Sequence, residues 1–458
     1  MTAGIDGSRG ILGGDDTIVA LGTAPGRGAI AVVRMTGNRA AEIASLHLQP
    51  WPISAREMIR CRVQGDDSIL DEALAAFYPA PNSFTGEDVV EIFTHGGHVV
   101  PASVITAFTK SGARQAFPGE FTRRAVLNGK LDIVQAEAIG DLVDARSTAM
   151  QRAALYHLEG GLSSRIASLR NDVIQLESLI AYDVDFPEED DGPISRERIL
   201  DSARALLASL DLLLSTIPVG QIVREGAIVV IAGEPNVGKS SLFNALLGEG
   251  RAIVTEIPGT TRDAIEAVVD AGQWPIRLID TAGLRESTDI VEKLGIEISE
   301  RHIGAAHLVL ACGDTEDALE RTMNVVSTLT RAPALPVLTK SDQGNRVSKT
   351  FPAAIPISVV TGQGLGQLKR GIDATIGRTY GQIAPEIPVL TRARQIQAIS
   401  QARAEVEGFS QSWETGQLPA PIAAVHLRSA AVALEEIIGA ISTDDVLERV
   451  FSSFCVGK

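Results

Sequence analysis

Hydrophobic residues recur with different periods along this chain, and the changes of period divide it into regions. Between residues 16 and 128, short apolar and β-branched runs alternate with polar, glycine-rich turns, which is typical of strands. We predict strands at 17–21, 29–35, 73–78 and 89–93, and helices at 39–48 and 101–110. From residue 131, apolar residues recur every three or four positions, which predicts bundle helices. These helices should break at Gly160–Gly161, and another should run from Ser195, its N-cap, to about Thr216, where Pro218 ends it.

A third pattern, in which strands alternate with helices, occupies residues 223–380. The predicted strands are 227–232, 266–270, 276–279, 307–311, 335–339 and 354–357, an alternation that indicates a doubly wound α/β domain. Helical periodicity returns at 393–409, 422–441 and 444–454. Because the termini of a domain usually lie close together, helices on both sides indicate one helical domain with an α/β insertion.

The predicted fold is therefore multidomain, with α/β and α+β parts. We predict a loose tail at 1–15, a β-rich N-terminal domain at 16–128, a discontinuous helical domain at 129–222 and 381–458, and an inserted domain at 223–380.

Composition limits the class of protein. The chain has 458 residues, enough for about three domains. A net charge of −16 argues against binding nucleic acid over the whole surface, although a local basic patch remains possible. The three cysteines are far apart, so neither a disulfide framework nor a zinc site is indicated. No signal pattern and no uninterrupted apolar run of spanning length occurs, so we expect a cytoplasmic protein.

The strand at 227–232 leads into Gly233-Glu-Pro-Asn-Val-Gly-Lys-Ser240 and then a helix, the pattern of a phosphate-binding loop. Backbone N–H groups and the helix N-terminus together bind one anion, and the glycines allow close approach. In this arrangement Lys239 pairs with the outer phosphates and Ser240 binds magnesium. The loop therefore predicts a nucleotide triphosphate site.

Three later motifs follow the loop in order. Thr261 of I-P-G-T-T-R-D offers a hydroxyl to magnesium, and Asp280-Thr-Ala-Gly283 places a carboxylate near the metal and an N–H at the γ-phosphate. Asp342 of Thr339-Lys-Ser-Asp342 can accept two N–H bonds from guanine, a pattern that adenine lacks. A last strand at 355–360 should end at the base. The ordered set indicates GTP.

Hydrolysis needs a group that orients water. In Ras-like enzymes a glutamine after the D-x-x-G motif does so, but here Leu284 occupies that position. No arginine finger is evident in this region, so another cation must neutralise the transition-state charge.

Several polar clusters leave two interpretations open. His95 and His98 flank Gly96–Gly97 and could bind a metal, although a backbone turn is favoured. The acidic stretch 182–193 could bind a cation or form a solvated turn. Arg123, Arg124 and Lys130 could contact an anionic ligand, but charge alone favours a solvated helix face.

The motifs GEPNVGKSS, GTTRD and DTAGLRE, with FTGED, HGG and PGEFTRRAVLNGKLD upstream and FCVGK at the end, resemble the MnmE (TrmE) family of tRNA modification GTPases. The resemblance extends from residue 16 to 458. It implies an N-terminal domain that resembles tetrahydrofolate-binding folds and forms a homodimer, a helical domain and an inserted G domain. It also implies GTP-dependent formation of an aminomethyl or carboxymethylaminomethyl group at C5 of the tRNA wobble uridine. The resemblance further implies an FAD-dependent MnmG-type partner in a heterotetramer or larger complex, and a folate that supplies one carbon.

The same resemblance assigns residues by motif. It implies folate binding by Arg34, Glu91, Lys130 and Lys458, which reverses the preference for Lys130 as a solvated residue. Cys455 matches a cysteine that acts near the folate, although a buried structural thiol is the alternative. Glu292 matches the residue that orients water in place of Leu284; alone it would resemble a surface carboxylate.

The cofactors implied are GTP, Mg²⁺, K⁺ and 5-formyl-tetrahydrofolate or a related tetrahydrofolate. Potassium would be bound by Asn236, Thr260 and the carbonyls of Thr255 and Ile257, and magnesium by Ser240 and Thr261. The motifs and the resemblance together assign GTP binding to Asn236, Val237, Gly238, Lys239, Ser240, Ser241, Thr255, Glu256, Ile257, Pro258, Gly259, Thr260, Thr261, Asp280, Thr281, Ala282, Gly283, Thr339, Lys340, Asp342 and Ser358.

Two departures from the family pattern concern the base. Thr339 replaces the usual asparagine, and Val359 after Ser358 replaces alanine and adds bulk near the base. We expect weaker guanine affinity rather than a different reaction. A ribosome-assembly GTPase and a folate-binding regulatory GTPase switch are the alternatives. No basic RNA-binding module adjoins the G domain, and Lys239, Ser240, Thr261 and Glu292 argue against an inactive site.

Overall fold

The structure is a computed structural model that describes residues 16–185, 195–249, 265–270, 272–280, 301–344, 350–381, 388–416, 419–439, 450–451, 454 and 457. Two compact units make up the chain. Unit 1 contains residues 1–140 and 435–458, and unit 2 contains residues 141–434. The domain boundaries drawn from the sequence stay predictions.

Unit 1 is built on a seven-stranded sheet with strand order β3-β4-β5-β6-β2-β1-β7, in which only β1 and β7 pair in parallel. The strands are β1 (Ile18–Leu21), β2 (Ile30–Thr36), β3 (Leu48–Gln49), β4 (Met58–Gln64), β5 (Ile69–Tyr78), β6 (Val89–His95) and β7 (Arg114–Gln115). The helices are α1 (Ala40–His47), α2 (Val99–Lys110), α3 (Glu120–Leu127) and α4 (Ile133–Val143), whose last three residues belong to unit 2.

The two faces of this sheet differ because successive side chains of a strand point to opposite sides. One face is buried against α1 and α2, in a core that includes Val33, Ile92 and Phe108. The other face carries Arg34 opposite Glu91. On this second face, 62% of Ile30, 54% of Met58 and 41% of Leu74 is exposed. Apolar side chains are therefore left uncovered around a charged pair.

Strand β4 was not predicted, although its residues alternate. Its exposed positions include Arg60 and Arg62, which pair with Glu72 on β5. These cross-strand charges stabilise the strand pairing only when β5 lies alongside β4. The sequence of β4 alone therefore did not indicate a strand.

The interpretation of Arg123 and Arg124 as a solvated face is wrong for both arginines. Their residues are 8% and 4% exposed. Arg124 forms ion pairs with Asp16 at 2.7 Å, Glu87 at 3.1 Å and Glu120 at 3.2 Å. Asp16 and Glu87 are distant in sequence, so local charge could not reveal that the guanidinium is used inside the protein.

The helices of unit 2 are α5 (Thr148–Leu158), α6 (Gly161–Asp185), α7 (Arg196–Leu214), α8 (Ile217–Glu225), α12 (Ala393–Thr415) and α13 (Ala420–Ile438), the last reaching into unit 1. The break before α6 is confirmed. Ser195 caps α7 as predicted, because its side chain accepts a hydrogen bond from the Arg198 N–H. The predicted end of this helix near Thr216 is confirmed, because α7 ends at Leu214. The short helix α8 was not predicted; Pro218 lies in its first turn, where a missing N–H costs nothing.

The stretch Arg196–Glu225 is long and apolar enough to cross a membrane by length and composition alone, with a window of mean hydropathy 1.7. Its apolar residues Leu206 and Leu210 are buried where α7 packs against α12. Asp211 also pairs with Arg403 of α12 at 2.7 Å. These two leucines therefore pack within the helical bundle, as apolar residues of core helices generally do.

The inserted domain has a six-stranded sheet with order β13-β12-β11-β8-β10-β9, in which only β9 is antiparallel to its neighbour. The strands are β8 (Ala227–Gly233), β9 (Ile265–Asp270), β10 (Pro275–Asp280), β11 (Leu308–Gly313), β12 (Ala334–Leu338) and β13 (Ile355–Pro356). The helices are α9 (Lys239–Glu249), α10 (Glu316–Leu329) and α11 (Leu365–Tyr380). The predicted α/β insertion and multidomain fold class are confirmed.

The core of this domain continues into the helices that carry it. Ala153 of α5 and Ile222 of α8 pack in the same buried cluster as the strands. The segments that enter and leave the domain are also bonded together, because the Leu390 N–H donates to the Thr216 hydroxyl at 3.1 Å. A Cβ placed on Gly220 would lie 1.9 Å from the Leu390 carbonyl oxygen. Only glycine permits this approach of the two segments.

Candidate GTP-binding site and a second cluster in unit 1

The phosphate-binding loop connects β8 to α9, as predicted. Asn236 and Gly238 have φ values of +66° and +99°, in the left-handed region that asparagine and glycine tolerate best. The Lys239 residue is 7% exposed, and its ammonium donates to the Glu234 carbonyl at 2.8 Å. The Glu234 carboxylate pairs with Arg321 of α10 at 2.6 Å. The loop thus presents backbone N–H groups at a helix start with a cation beside them.

Asp280 ends β10 next to this loop. It lies opposite Ile231 of β8 and is 1% exposed. Both Asp280 and Lys239 act electrostatically on Cys312, whose thiol pKa is raised to about 12 mainly by burial. The structure therefore brings the predicted carboxylate and the predicted phosphate-binding cation to the same end of the sheet.

The base-recognition motif follows β12. Thr339 is 2% exposed, and Lys340 pairs with Asp314 at 3.0 Å. Asp342 lies exposed in a 3₁₀ turn at Ser341–Gln343. Ser358 is fully buried, and its hydroxyl accepts from the Thr361 N–H at 3.2 Å.

The bulk of Val359 is accommodated within the protein. Val359 packs against the buried core of the inserted domain. The apolar side chain that replaces the usual alanine therefore contributes to packing in this chain.

Several predicted site residues lie outside the described residues. They are Thr255, Glu256, Ile257, Pro258, Gly259, Thr260, Thr261, Thr281, Ala282, Gly283, Glu292, Cys455 and Lys458.

Oxygen ligands suit magnesium, and the described residues supply them. The exposed Ser240 stands at the start of α9, and the Asp280 carboxylate ends a neighbouring strand. Hydroxyl and carboxylate oxygens are hard donors of the kind that Mg²⁺ binds beside phosphates. For potassium, the described part of the predicted set is Asn236, which is exposed on the loop. The hydroxyl and carboxylate fit magnesium chemically, and the potassium site stays a prediction.

A second cluster lies on the uncovered face of the unit 1 sheet. The Arg34 guanidinium contacts Glu91 through Nε at 2.8 Å and Nη2 at 2.7 Å. It also lies 5.8 Å from the ring centroid of Phe84, which is 37% exposed. Lys130, exposed, donates to the Pro81 carbonyl at 3.1 Å, in the loop that carries Phe84. Three of the four predicted folate-binding residues are thus described, and sequence reasoning missed the aromatic neighbour.

The end of the chain reaches the same strand region. Gly457 has φ +95°, and a Cβ on it would lie 2.1 Å from the Leu21 carbonyl oxygen. A Cβ on Gly22 would in turn lie 3.0 Å from Cδ of Arg34. Gly457 therefore lies close to the residue that borders the Arg34 side chain. The glycine of the terminal motif was the available signal, but its partner could not be identified from sequence.

The loop that carries Phe84 is held by Arg124. Arg124 pairs with Glu87 of this loop, and the Thr36 hydroxyl contacts both Glu87 at 3.1 Å and Thr85 at 2.7 Å. Asn128 donates to the Thr85 carbonyl at 2.7 Å. The motifs around residues 84–88 and 117–132 are therefore joined by hydrogen bonds that neither motif shows alone.

The metal alternative for the two histidines has no support in the described residues. His95 contacts Asp71 through Nδ1 at 2.7 Å. No group of three or more metal-binding side chains occurs in the part of the chain that the structure describes.

Comparison with known proteins identifies the family. A family model of the MnmE helical domain matches residues 133–455, and a model of the N-terminus of the GTP-binding protein TrmE matches residues 17–130. The chain belongs to the MnmE (TrmE) family of tRNA modification GTPases.

Relatives described as tRNA modification GTPase MnmE align along nearly the whole chain. The protein of Moorella thermoacetica is 39% identical over 467 residues, covering 97% of this chain and 100% of the relative. That of Vibrio vulnificus CMCP6 is 41% identical over 456 residues, covering 97% and 99%. That of Aquifex aeolicus is 36% identical over 449 residues, covering 97% and 100%. Among solved structures, the G domain of the T. maritima FeoB iron transporter aligns with 32% of this chain and 98% of its own at 28% identity, but its TM-score of 0.26 supports no structural argument.

Membership in the MnmE family confirms the predicted enzyme class. The chain is a GTP-hydrolysing enzyme of tRNA modification, and GTP is its nucleotide. The roles of individual residues stay predictions.

Proposed function

We propose that this protein is a potassium-stimulated GTPase that forms the aminomethyl or carboxymethylaminomethyl group at C5 of the tRNA wobble uridine. An FAD-dependent MnmG-type protein is the proposed partner, in a heterotetramer or larger complex in the cytoplasm. A 5-formyl-tetrahydrofolate or related folate supplies one carbon to unit 1. Membership in the MnmE family supports the reaction class, and the following geometry supports its parts.

The Arg34–Glu91 pair carries the folate part of the proposal. It is a charge-assisted contact on an uncovered sheet face, with an aromatic ring at 5.8 Å. A pterin is planar and rich in N–H donors, so it can stack on Phe84 and bond to a carboxylate. The glutamate tail of a folate is anionic, which suits the exposed Lys130 and, from the terminal motif, Lys458. Cys455 is proposed to act at the same place.

The uncovered face also supports a homodimer. Ile30, Met58 and Leu74 are each more than two-fifths exposed on one side of the sheet. Exposed apolar groups of this kind mark interaction sites. A second copy of this chain is the proposed cover, since the folate-binding residues of both copies then face a shared interface.

In the G domain, side chains and backbone groups of the protein are proposed to bind the phosphates and orient the attacking water. The phosphate-loop N–H groups and Lys239 bind the phosphates, and Glu292 is proposed to orient the attacking water. Mg²⁺ at Ser240 and Thr261 would neutralise phosphate charge, and K⁺ at Asn236, Thr255, Ile257 and Thr260 would supply the cation that an arginine finger supplies elsewhere.

Folate binding is tested by titrating the full-length protein with 5-formyl-tetrahydrofolate in a calorimeter. Arg34→Ala should weaken binding at least about tenfold, because a charged hydrogen bond contributes roughly 1.5–3 kcal/mol. Arg39→Ala is the matched control, since Arg39 forms an exposed ion pair with Glu42 on α1, which packs against the other face of the sheet. Wild-type protein that binds no folate would contradict this part of the proposal.

Potassium stimulation is tested by comparing phosphate release from GTP in KCl and in NaCl. Asn236→Gly removes the side-chain oxygen without straining a backbone at φ +66°. The variant should hydrolyse GTP equally slowly in both salts, whereas Glu292→Ala should retain GTP binding and lose most turnover in both. Potassium stimulation that persists in Asn236→Gly would place the cation elsewhere.

The tRNA reaction is tested in cells that lack the gene. Their wobble uridines should lack the C5 substituent, and the wild-type gene should restore it. Fully modified wobble uridines in the deletion strain would overturn the main proposal in favour of a regulatory GTPase.

A further inference from the structure

Thr339 occupies the first position of the base-recognition motif, but its hydroxyl contacts protein carbonyls. The Oγ1 atom lies 2.5 Å from the Val237 carbonyl oxygen and 3.2 Å from that of Gly313. A hydroxyl has one proton to donate, and the shorter contact assigns it to Val237. The residue is 2% exposed. Thr339 therefore links the base-recognition loop to the phosphate-binding loop.

This link fixes the direction of a phosphate-binding N–H. Val237 and Gly238 share a peptide unit, and in a trans peptide the C=O and N–H point in opposite directions. Holding the Val237 carbonyl on Thr339 therefore turns the Gly238 N–H to the opposite side, away from Thr339. Gly238 has φ +99° at the start of α9, where N–H groups bind phosphate.

The base-recognition loop is itself held at both sides, so Thr339 provides a rigid anchor. The Thr339 N–H donates to the Gly313 carbonyl at 2.9 Å, at the end of β11. The Ser341 N–H donates to the Ile357 carbonyl at 3.0 Å, next to β13. Lys340 has φ +55° and pairs with Asp314. A guanine-binding contact must then come from the exposed Asp342 rather than from the buried hydroxyl.

We propose that Thr339 is a positioning residue that sets phosphate affinity through the Val237–Gly238 peptide and takes no part in selecting the base. In this chain the threonine braces the two loops, and discrimination of the base is left to Asp342. The proposal goes beyond GTP hydrolysis, because it assigns phosphate affinity and base specificity to different residues of one four-residue motif.

The test compares the dissociation constants of GTP and ITP by displacement of a fluorescent GDP analogue from the full-length protein. ITP lacks the 2-amino group of guanine, so the ITP-to-GTP ratio reports the Asp342 contact. The nucleotide 7-deaza-GTP lacks the N7 acceptor, so its ratio to GTP, measured in the same way, reports a hydroxyl that donates to the base. Thr339→Val removes the hydroxyl at nearly constant volume. This variant should raise the dissociation constants of GTP and ITP by about tenfold, which corresponds to the cost of leaving one buried carbonyl unpaired. The ratio of the two constants should not change. Asp342→Asn should instead lower the ratio.

Thr322→Val is the matched control. Thr322 is also a buried threonine of the G domain, whose hydroxyl oxygen lies 2.9 Å from the Ala318 carbonyl oxygen and 3.2 Å from that of Cys312. Its replacement should lower the melting temperature without changing either dissociation constant. An equal loss of nucleotide affinity in Thr322→Val would show that general destabilisation explains the Thr339 result.

Thr339→Ser keeps the hydroxyl and tests the inference even where Thr339→Val fails to fold. It should bind GTP and ITP within about threefold of wild type with the same ratio. A lower ratio of ITP to GTP, or of 7-deaza-GTP to GTP, in either Thr339 variant would overturn the inference, because it would place the side chain at the base. Unchanged affinity in a folded Thr339→Val protein would overturn it as well.

Discussion

Replacing Arg124 by methionine should loosen unit 1 around β1. The side chain is 4% exposed and is surrounded by three carboxylates, of which Glu120 is 12%, Glu87 25% and Asp16 42% exposed. It also donates to the Asp16 backbone carbonyl at 2.8 Å. Methionine retains much of the volume and removes every one of these bonds.

The magnitude follows from burial. Removing one partner of a buried ion pair costs roughly 3–5 kcal/mol because the remaining charges lie uncompensated. Asp16 is partly exposed, so its share is screened by water and the lower limit applies. About 3 kcal/mol raises the population of locally opened molecules by roughly two orders of magnitude.

Amide hydrogen exchange of the full-length protein measures this opening. Peptides that cover β1 and β2 should exchange roughly 100-fold faster at neutral pH, while peptides that cover β8 should not change. Arg39→Met is the control, because Arg39 forms an exposed ion pair with Glu42 on α1 at 2.7 Å and its loss should leave exchange unaltered.

The pH dependence of stability tests the contribution of these ion pairs independently. Burial alone would raise the pKa of both Asp16 and Glu120, but hydrogen bonds and charge from Arg114 and Arg124 outweigh it and lower both pKa values. Carboxylates whose pKa is lower when folded stabilise the folded state above their unfolded values, here 3.8 and 4.5. That stability is lost as the pH falls through the folded pKa values.

Protection in wild-type β1 should therefore decrease on acidification below about pH 4.5, and Arg124→Met should reduce this decrease. Wild-type exchange rates in Arg124→Met at neutral pH would refute the reasoning. They would mean that the three carboxylates are stabilised without the guanidinium.

Three further predictions concern glycines and a histidine. Gly457→Ala should weaken 5-formyl-tetrahydrofolate binding, because its Cβ would lie 2.1 Å from the Leu21 carbonyl oxygen, whereas Gly97→Ala, at φ +123° in open space, should not. Equal losses of folate affinity in the two variants would show that the position of Gly457 does not matter to the site. His157→Gln should reduce the loss of thermal stability that occurs between about pH 6.5 and 5. Burial lowers the pKa of this 2%-exposed histidine, so in that pH range the unfolded chain binds a proton that the folded chain does not. Melting temperatures with the same pH profile in the variant and the wild type would contradict this. Gly220→Ala should lower the melting temperature, although alanine is roughly 0.5–1 kcal/mol more favourable than glycine in a helix, because its Cβ would lie 1.9 Å from the Leu390 carbonyl oxygen. Gly248→Ala, in open space, should not lower it. A more stable Gly220→Ala protein would show that the segments around Gly220 and Leu390 can separate freely.

What the sequence determined is local. The strand, glycine loop and helix around Gly233–Ser240 are contiguous, and their conformation depends on the residues themselves, so this strand–loop–helix arrangement was predicted as it is found. The bundle helices were predicted for the same reason, because the apolar face of a helix repeats within a few residues of the sequence.

Tertiary structure decided what each polar residue contacts. Arg124 and its partner Asp16 are separated by 108 residues, and Thr339 and Val237 by 102. Nothing in a local pattern distinguishes a buried, paired arginine from a solvated one, because the distinction depends on carboxylates that only folding brings near. The same holds for Gly457, whose conformation matters through the Leu21 carbonyl, and for the uncovered sheet face beside Arg34. Contacts between distant segments decide burial and pairing, and burial sets the energy of a charge or hydroxyl.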